Sequence, residues 1–237
     1  MTPKRNPGPF LKSFFIPDSQ IETTVKLRLE SLKLMPSTPR PVAVDKYCDR
    51  RWGFPEDYID LPPGVLGCAG FSESGLASIA ISRELGDDTS RIGLVRTRST
   101  LAHEIGHGEL HSEAYAAKLR HDRLQGDLFG VAADEETKIL CRDEQIRRPR
   151  SEEWWEIQAN RFMVALLLPK HLLREVVEDW MPNKRDGRFY PPTNFLEDEV
   201  ASIFQVSKEM SRIAADAMCK TIAAERQQLK AVSLATS

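Results

Sequence analysis

The run STLAHEIGHGELH, residues 99–111, sets three of the chain's five histidines at positions 103, 107 and 111. His103 and His107 enclose Glu104 in the pattern H-E-x-x-H. Residues four apart share one face of an α-helix, so the spacing predicts a helix on which two imidazoles converge on a single ion. Zinc suits imidazole and oxygen ligands, and a catalytic zinc site uses three protein ligands and keeps one position for water. Glu104 is turned about 100° from His103 around the helix, where it reaches that water rather than the ion. It is therefore the candidate general base. Leu101, Ala102 and Ile105 project to the opposite side, which predicts a buried face and a separate functional one. Gly106 and Gly108 each cost about 1 kcal/mol relative to Ala inside a helix. They point to close packing, or to room for a substrate.

The third ligand must come from elsewhere. The Cα of His111 lies about 12 Å along the axis from that of His103, too far for both rings to meet one ion. His111 reads instead as a helix-end histidine or a group that orients a ligand. The longer pattern H-E-x-x-H-x-x-G-x-x-H needs Gly at 110 and His at 113, where this chain has Leu110 and Glu113. What remains is a carboxylate from a second helix. In EEWWEIQANRFMVALLLP, residues 152–169, Glu156 and Asn160 share a face beside an apolar arc of Trp155, Ala159, Phe162, Met163, Leu166 and Leu167. A carboxylate there is costly unless paired or metal-bound, and Asn160 is placed to orient a ligand. Glu152 and Glu153 are rivals, although acids are ordinary in a first helical turn. The acidic run Asp134-Glu135-Glu136 is another, and Cys141 a weaker one. Spacing alone leaves these alternatives open.

At 237 residues and 41% hydrophobic composition the chain can bury one sizeable core with a small appended unit. A formal charge of −2 gives no net reason to expect nucleic acid or an acidic membrane as main partner. Cys48, Cys68, Cys141 and Cys219 are scattered with no C-x-x-C pair, which predicts buried thiols rather than a disulfide framework or a Cys-type zinc module. The apolar run Phe10–Ile16 is broken by Lys12 and Ser13, unlike a secretory signal, and no later run approaches the roughly 20 residues of a membrane span. A cytoplasmic protein is expected.

The expected organisation is a Pro-rich arm and helix over 1–40, a metallopeptidase domain over 41–180 and a helical region over 181–237. Within it, helices are predicted over 21–34, from about Val44 to Trp52 with a stop at Gly53, and from Arg91 through the histidines. The segment GVLGCAGFSESGLASIAIS, 64–82, predicts two or three short strands, with SIAIS as an edge for an extended substrate. Residues 113–151 read as a charged helical or looped excursion. Further helices are expected over 152–168, over HLLREVVEDW and on both sides of FQVS, where Ser207 is a plausible N-cap. The fold class is α+β, zincin-like and mostly helical, with a small mixed sheet of about three strands and a C-terminal helical hairpin. That hairpin has a helix-turn-helix look, with Phe204, Val206 and Met210 as packing residues. Its second helix is not notably basic, so direct DNA binding is not expected.

With both segments in view, the chain resembles the ImmA/IrrE family of bacterial and phage zinc metallopeptidases. RTRSTLAHEIGHGELH (96–111) and EIQANRFMVALLLP (156–169) carry the resemblance, supported upstream by WGF, LPPGVLGCAGF and SIAIS. It covers roughly residues 40–170. It implies zinc bound by His103, His107 and Glu156, with Glu104 catalytic, and a substrate among helix-turn-helix repressors whose cleavage relieves repression of stress or mobile-element genes. Ser99 stands where an aromatic is common and Met163 where Ala is usual, departures that touch packing and substrate rather than ligands. His171, Tyr190 and His121 are candidate oxyanion donors. Manganese or iron can occupy similar ligands. The alternative is a non-hydrolytic, zinc-containing regulatory protein that binds a repressor or DNA.

Overall fold

The structure is a computed structural model that describes residues 9–12, 14–129, 137–142, 153–180 and 194–235. The proposed ligands Glu152 and Asp134-Glu135-Glu136, the candidate Tyr190, the MPNKRDG break and all of the PPTN turn but Asn194 lie outside them.

Helix α1, Asp18–Ser31, buries Ile21, Val25 and Leu29, one residue per turn. It closes with Lys33 in the left-handed region (φ 56) and Leu34 donating its N–H to the Leu29 carbonyl at 2.8 Å. This is a Schellman ending, and the apolar Leu34 that follows the turn is buried as such endings favour. A 3-10 turn, Val44–Lys46, leads into α2, Tyr47–Trp52, which stops at Gly53 with φ 78 as predicted.

Four strands form one mixed sheet: β1 Asp57–Ile59, β2 Val65–Ser72, β3 Gly75–Ser82 and β4 Thr137–Arg142, in the order β1-β3-β2-β4. β2 and β3 make an antiparallel hairpin, β1 joins β3 in parallel, and β4 runs antiparallel to β2. The sheet has one strand more than expected, because β4 arises from the charged region and is only six residues long. SIAIS is not an open edge along its whole length: β1 pairs with Ala80, Ile81 and Ser82, while β2 pairs with Ser78, Ile79, Ala80 and Ile81 on the other side.

The third helix, α3, covers Arg83–Asp87, and α4 runs unbroken over Arg91–Phe129. The charged stretch after residue 113 thus continues the helix to Phe129. Tyr115, Ala116 and Leu119 bury one face of it, and the charges that hide this pattern occupy the rest. α4 packs across β2 and β3. Its Glu109 carboxylate, only 1% exposed, accepts from Arg51 Nε at 2.7 Å, Arg28 Nε at 2.9 Å and the Tyr47 hydroxyl at 3.0 Å, tying α1 and α2 to the helix just past His107.

The remaining helices are α5 Trp154–Leu167, α6 Lys170–Trp180, α7 Asn194–Phe204 and α8 Lys208–Ala235. The chain divides into two compact units, one of Met1–Met35 with Ala43–Leu166 and one of Pro36–Val42 with Leu167–Ser237. In the second, α6, α7 and α8 pack on one another around Leu173, Val177, Val200, Phe204, Met218 and Ile222. Its α7–α8 turn repeats the Schellman ending, with Gln205 at φ 53 and Val206 donating to the Ala201 carbonyl at 3.2 Å. Val206 is buried, and Ser207 caps α8 by accepting the Met210 N–H at 3.1 Å. Among the described residues no helix is long and apolar enough to cross a membrane.

Candidate metal centre

The turns of α4 that carry the motif are covered on every side: residues 101–108 are all buried. The predicted division into a core face and a separate functional face therefore does not hold. His103, Glu104 and His107 are as inaccessible as Leu101, Ala102 and Ile105, because the sheet packs on one side of α4 and α5 on another. Glycine makes both approaches close. A Cβ on Gly106 would lie 3.0 Å from the Ala159 carbonyl oxygen and 3.2 Å from Phe162 Cβ, so α4 and α5 meet backbone to backbone. A Cβ on Gly108 would meet Leu76 Cδ2 at 2.8 Å and the Trp52 ring at 2.9 Å. Of the two explanations for these glycines, packing is the one observed.

That approach brings α5 to the histidines. His103 Nε2 lies 3.1 Å from His107 Nε2 and 3.1 Å from Glu156 Oε2, and the third edge, from His107 Nε2 to Glu156 Oε2, is 3.4 Å. All three side chains are fully buried. Tetrahedral ligands at about 2.0–2.1 Å from an ion stand about 3.3–3.4 Å apart, so this triangle has the dimensions of one face of such a site. His103, His107 and Glu156 are close enough to hold a metal ion.

The surrounding hydrogen bonds fix what each atom can offer. Asn160 Oδ1 lies 2.9 Å from His103 Nδ1, and a carbonyl oxygen can only accept, so that nitrogen carries the proton and Nε2 the lone pair. Gln158 donates its amide N–H to the Phe14 carbonyl at 3.4 Å and presents Oε1 to His111 Nε2 at 3.1 Å. His111 therefore donates from Nε2 and accepts at Nδ1, which faces His107 Nδ1 at 2.9 Å. His107 then donates from Nδ1 and also aims a bare Nε2 inward. Two lone pairs and a carboxylate oxygen thus converge, an arrangement that calls for a cation.

The electrostatics agree. Burial would raise the Glu156 carboxyl, but His107 and His103 hold it well below the usual carboxylate range. Burial would lower His103, and Glu156 raises it instead, while for His107 burial prevails over Glu156. Burial and the neighbouring His107 push His111 far down, which keeps it neutral and able to both donate and accept. Burial pushes Glu104 up to about 8, with His103 opposing. The Cys141 thiol beside it also favours the ionised form, and no N–H or O–H donor meets either Glu104 oxygen among the described residues. A buried carboxylate without a strong donor is costly, and a nearby cation would bring it back toward the ionised form.

The proposed residues separate clearly. His103, Glu104, His107, Glu156 and Asn160 come together. Glu153 is half-buried at the start of α5, which leaves Glu156 as the carboxylate in place. Of the two readings of His111, the helix-end one does not hold, since α4 continues past it, and the ligand-orienting one fits its ring nitrogen 2.9 Å from that of His107. His121 is exposed on α4 beside Asp122, and His171 is exposed on α6 in the second unit, so neither is built into the centre.

Two contributions escape a reading of the residues alone, and Cys141, offered there only as a weak candidate for the third ligand, takes another place. Gln158 orients His111, and its only trace in sequence is an amide within an apolar helix. Phe10 and Phe14, on an arm expected to be irregular, stand 5.6 and 5.9 Å from the His111 ring and pack with Trp154 and Tyr115, sealing that end of the chain of imidazoles. Cys141, carried by β4, reaches the neighbourhood of Glu104 and His103. Comparison of the chain with models of known protein families finds no match, and comparison with functionally characterised proteins finds none either.

Proposed function

We propose that the chain is a zinc-dependent endopeptidase of the kind its resemblance to the ImmA/IrrE family implies, acting on a helix-turn-helix repressor. The observation that carries this reading is the pairing of two features within one buried cluster of side chains: the triangle of His103 Nε2, His107 Nε2 and Glu156 Oε2, and, on the adjoining helical position, the Glu104 carboxyl that no N–H or O–H donor meets among the described residues. A structural zinc site is closed by four protein ligands, whereas three ligands beside an uncommitted carboxylate suit hydrolysis.

Zinc at this triangle would polarise a peptide carbonyl and make water nucleophilic near neutral pH. The protein's own groups do the rest. Asn160 and the Gln158–His111 pair hold the two ligand imidazoles in the tautomers that face inward. Glu104 would take the proton that the attacking water gives up and pass it to the departing amine, a role that suits a carboxylate kept ionised by the neighbouring cation. The packing of β2 against α4 holds Glu104 in place. A Cβ on Gly67 would lie 2.7 Å from Thr100 Cγ2 and 3.1 Å from Glu104 Oε1, so the missing side chain leaves α4 its close approach and the carboxylate its place.

The test is Glu104→Gln. The variant is expected to keep its zinc and its fold while losing cleavage of a co-expressed helix-turn-helix repressor. Relief of repression that continues unchanged in the variant would show that hydrolysis is not the activity, and would favour a regulatory protein that acts by binding.

A further inference from the structure

β4 brings one more ligand-bearing group to the centre. Cys141 pairs across the sheet with Gly67, and Gly67, having no side chain, gives up the space above it to the Glu104 carboxylate. Thiol and carboxylate therefore meet over a glycine. A ligand atom from each of His103, Glu104 and Cys141 lies within 4.8 Å of the other two, and all three residues are buried. The Glu104 carboxyl is met by the Cys141 thiol and by no N–H or O–H donor among the described residues. A buried carboxylate whose neighbour is only a weak thiol donor favours a positive charge beside it.

His103 is thus common to two triads. One, with His107 and Glu156, offers nitrogen and oxygen. The other, with Glu104 and Cys141, offers nitrogen, oxygen and sulfur. Its atoms lie within 4.8 Å of one another, and rotation about the Cys141 and Glu104 side-chain bonds is the freedom available to adjust them to an ion. We propose that His103, Glu104 and Cys141 form a second, thiolate-containing site for a soft divalent cation such as cadmium. Thiolate selects soft ions, while the imidazole and carboxylate set is less discriminating. Because the Nδ1–H of His103 is committed to Asn160, His103 has a single lone pair to give, and an ion takes one triad or the other. Binding in the second triad releases the thiol proton to solvent as the Cd–S bond forms. It also ties up the Glu104 carboxylate, so on the reading of the protein as a Glu104-dependent peptidase, on which this consequence rests, a cation held there silences the enzyme.

The experiment adds one equivalent of cadmium chloride to the metal-free full-length protein and follows the ultraviolet sulfur-to-cadmium charge-transfer band and the 113Cd chemical shift. The wild type is expected to show a thiolate ligand. Cys141→Ser is expected to lose the band, and His107→Ala, which breaks the first triad alone, to keep it. Cadmium bound by the wild type through nitrogen and oxygen only overturns the proposal, whatever becomes of the variants. So does a band that survives in Cys141→Ser, since it would belong to Cys48, Cys68 or Cys219. Either result leaves the zinc centre standing if zinc still binds at His103, His107 and Glu156. A protein that takes up neither zinc nor cadmium removes both readings.

Discussion

His107 and His111 are related by the same four-residue step as His103 and His107, and the helix puts that repetition to a different use. The first pair aims two Nε2 atoms at one point; the second pair stacks Nδ1 against Nδ1 at 2.9 Å, so that a proton held by Gln158 on one imidazole dictates where the proton sits on the next. Groups that orient a metal ligand in this way commonly account for about 10- to 100-fold in metal affinity. His111→Leu removes the acceptor for His107 while keeping the site apolar and filled. Zinc affinity, measured by competition with a chromophoric chelator, is expected to fall by about that factor. Unchanged affinity would reduce His111 to core packing. The sequence makes His103, Glu104 and His107 legible because their spacing is a statement about one helix. Glu156 was a choice among several acids, since its position depends on how α5 crosses α4. The part played by His111 was one of two readings left open: the 12 Å argument excludes it as a ligand to the ion bound by His103 and does not choose between a helix-end histidine and a group that orients a ligand.

Elements succeed or fail as predictions here according to whether their cause is local. α1, α2, the β2–β3 hairpin and the Ser207 cap each follow from side chains within a few residues, and the structure has them close to where periodicity and turn chemistry place them. β4 does not. Six residues, TKILCR, amount to a strand only because β2 offers them a ladder and the core accepts Ile139 and Cys141. The continuation of α4 to Phe129 was obscured in the same way, its buried Tyr115 and Leu119 being outnumbered by charges facing outward. Gly106 shows how a local cost buys a distant effect. Replacing it with Ala removes a helix penalty of about 1 kcal/mol, yet the new Cβ meets the Ala159 backbone, which has no rotamer to yield. The clash must be relieved by moving α5 away from α4, and Glu156 moves with it. Gly106→Ala is expected to destabilise the fold by about 1–3 kcal/mol in denaturant melts and to lower zinc occupancy in the purified protein. A stabilised, fully metallated variant would mean that the two helices have slack that their contact distances do not suggest.

For the whole molecule, the decisive fact is that every ligand and every orienting group of the centre lies in the first of the two units. Composition and charge are too even to mark the division, and the short Pro36–Val42 stretch, which reads as a simple helix stop, groups with residues 167–237. An ion that binds only the folded first unit stabilises that unit by mass action, about 2.7 kcal/mol when the free ion is at 100 times its dissociation constant. The stabilisation has a structural address. α4 and α5 are joined at the centre by three acceptor atoms 3.1–3.4 Å apart, groups that repel one another unless a cation or a shared proton sits among them. Chelation should therefore loosen these two helices first, through local opening that hydrogen exchange detects. Peptides from residues 99–111 and 154–166 are expected to exchange faster after treatment with EDTA, and re-addition of zinc should restore their protection. Peptides from α7 and α8, whose contacts are with each other and with α6, are expected to exchange at the same rate throughout. Uniform acceleration across all four helices would show that the units unfold as one, and no change in α4 and α5 would show that the cation contributes nothing to holding them together.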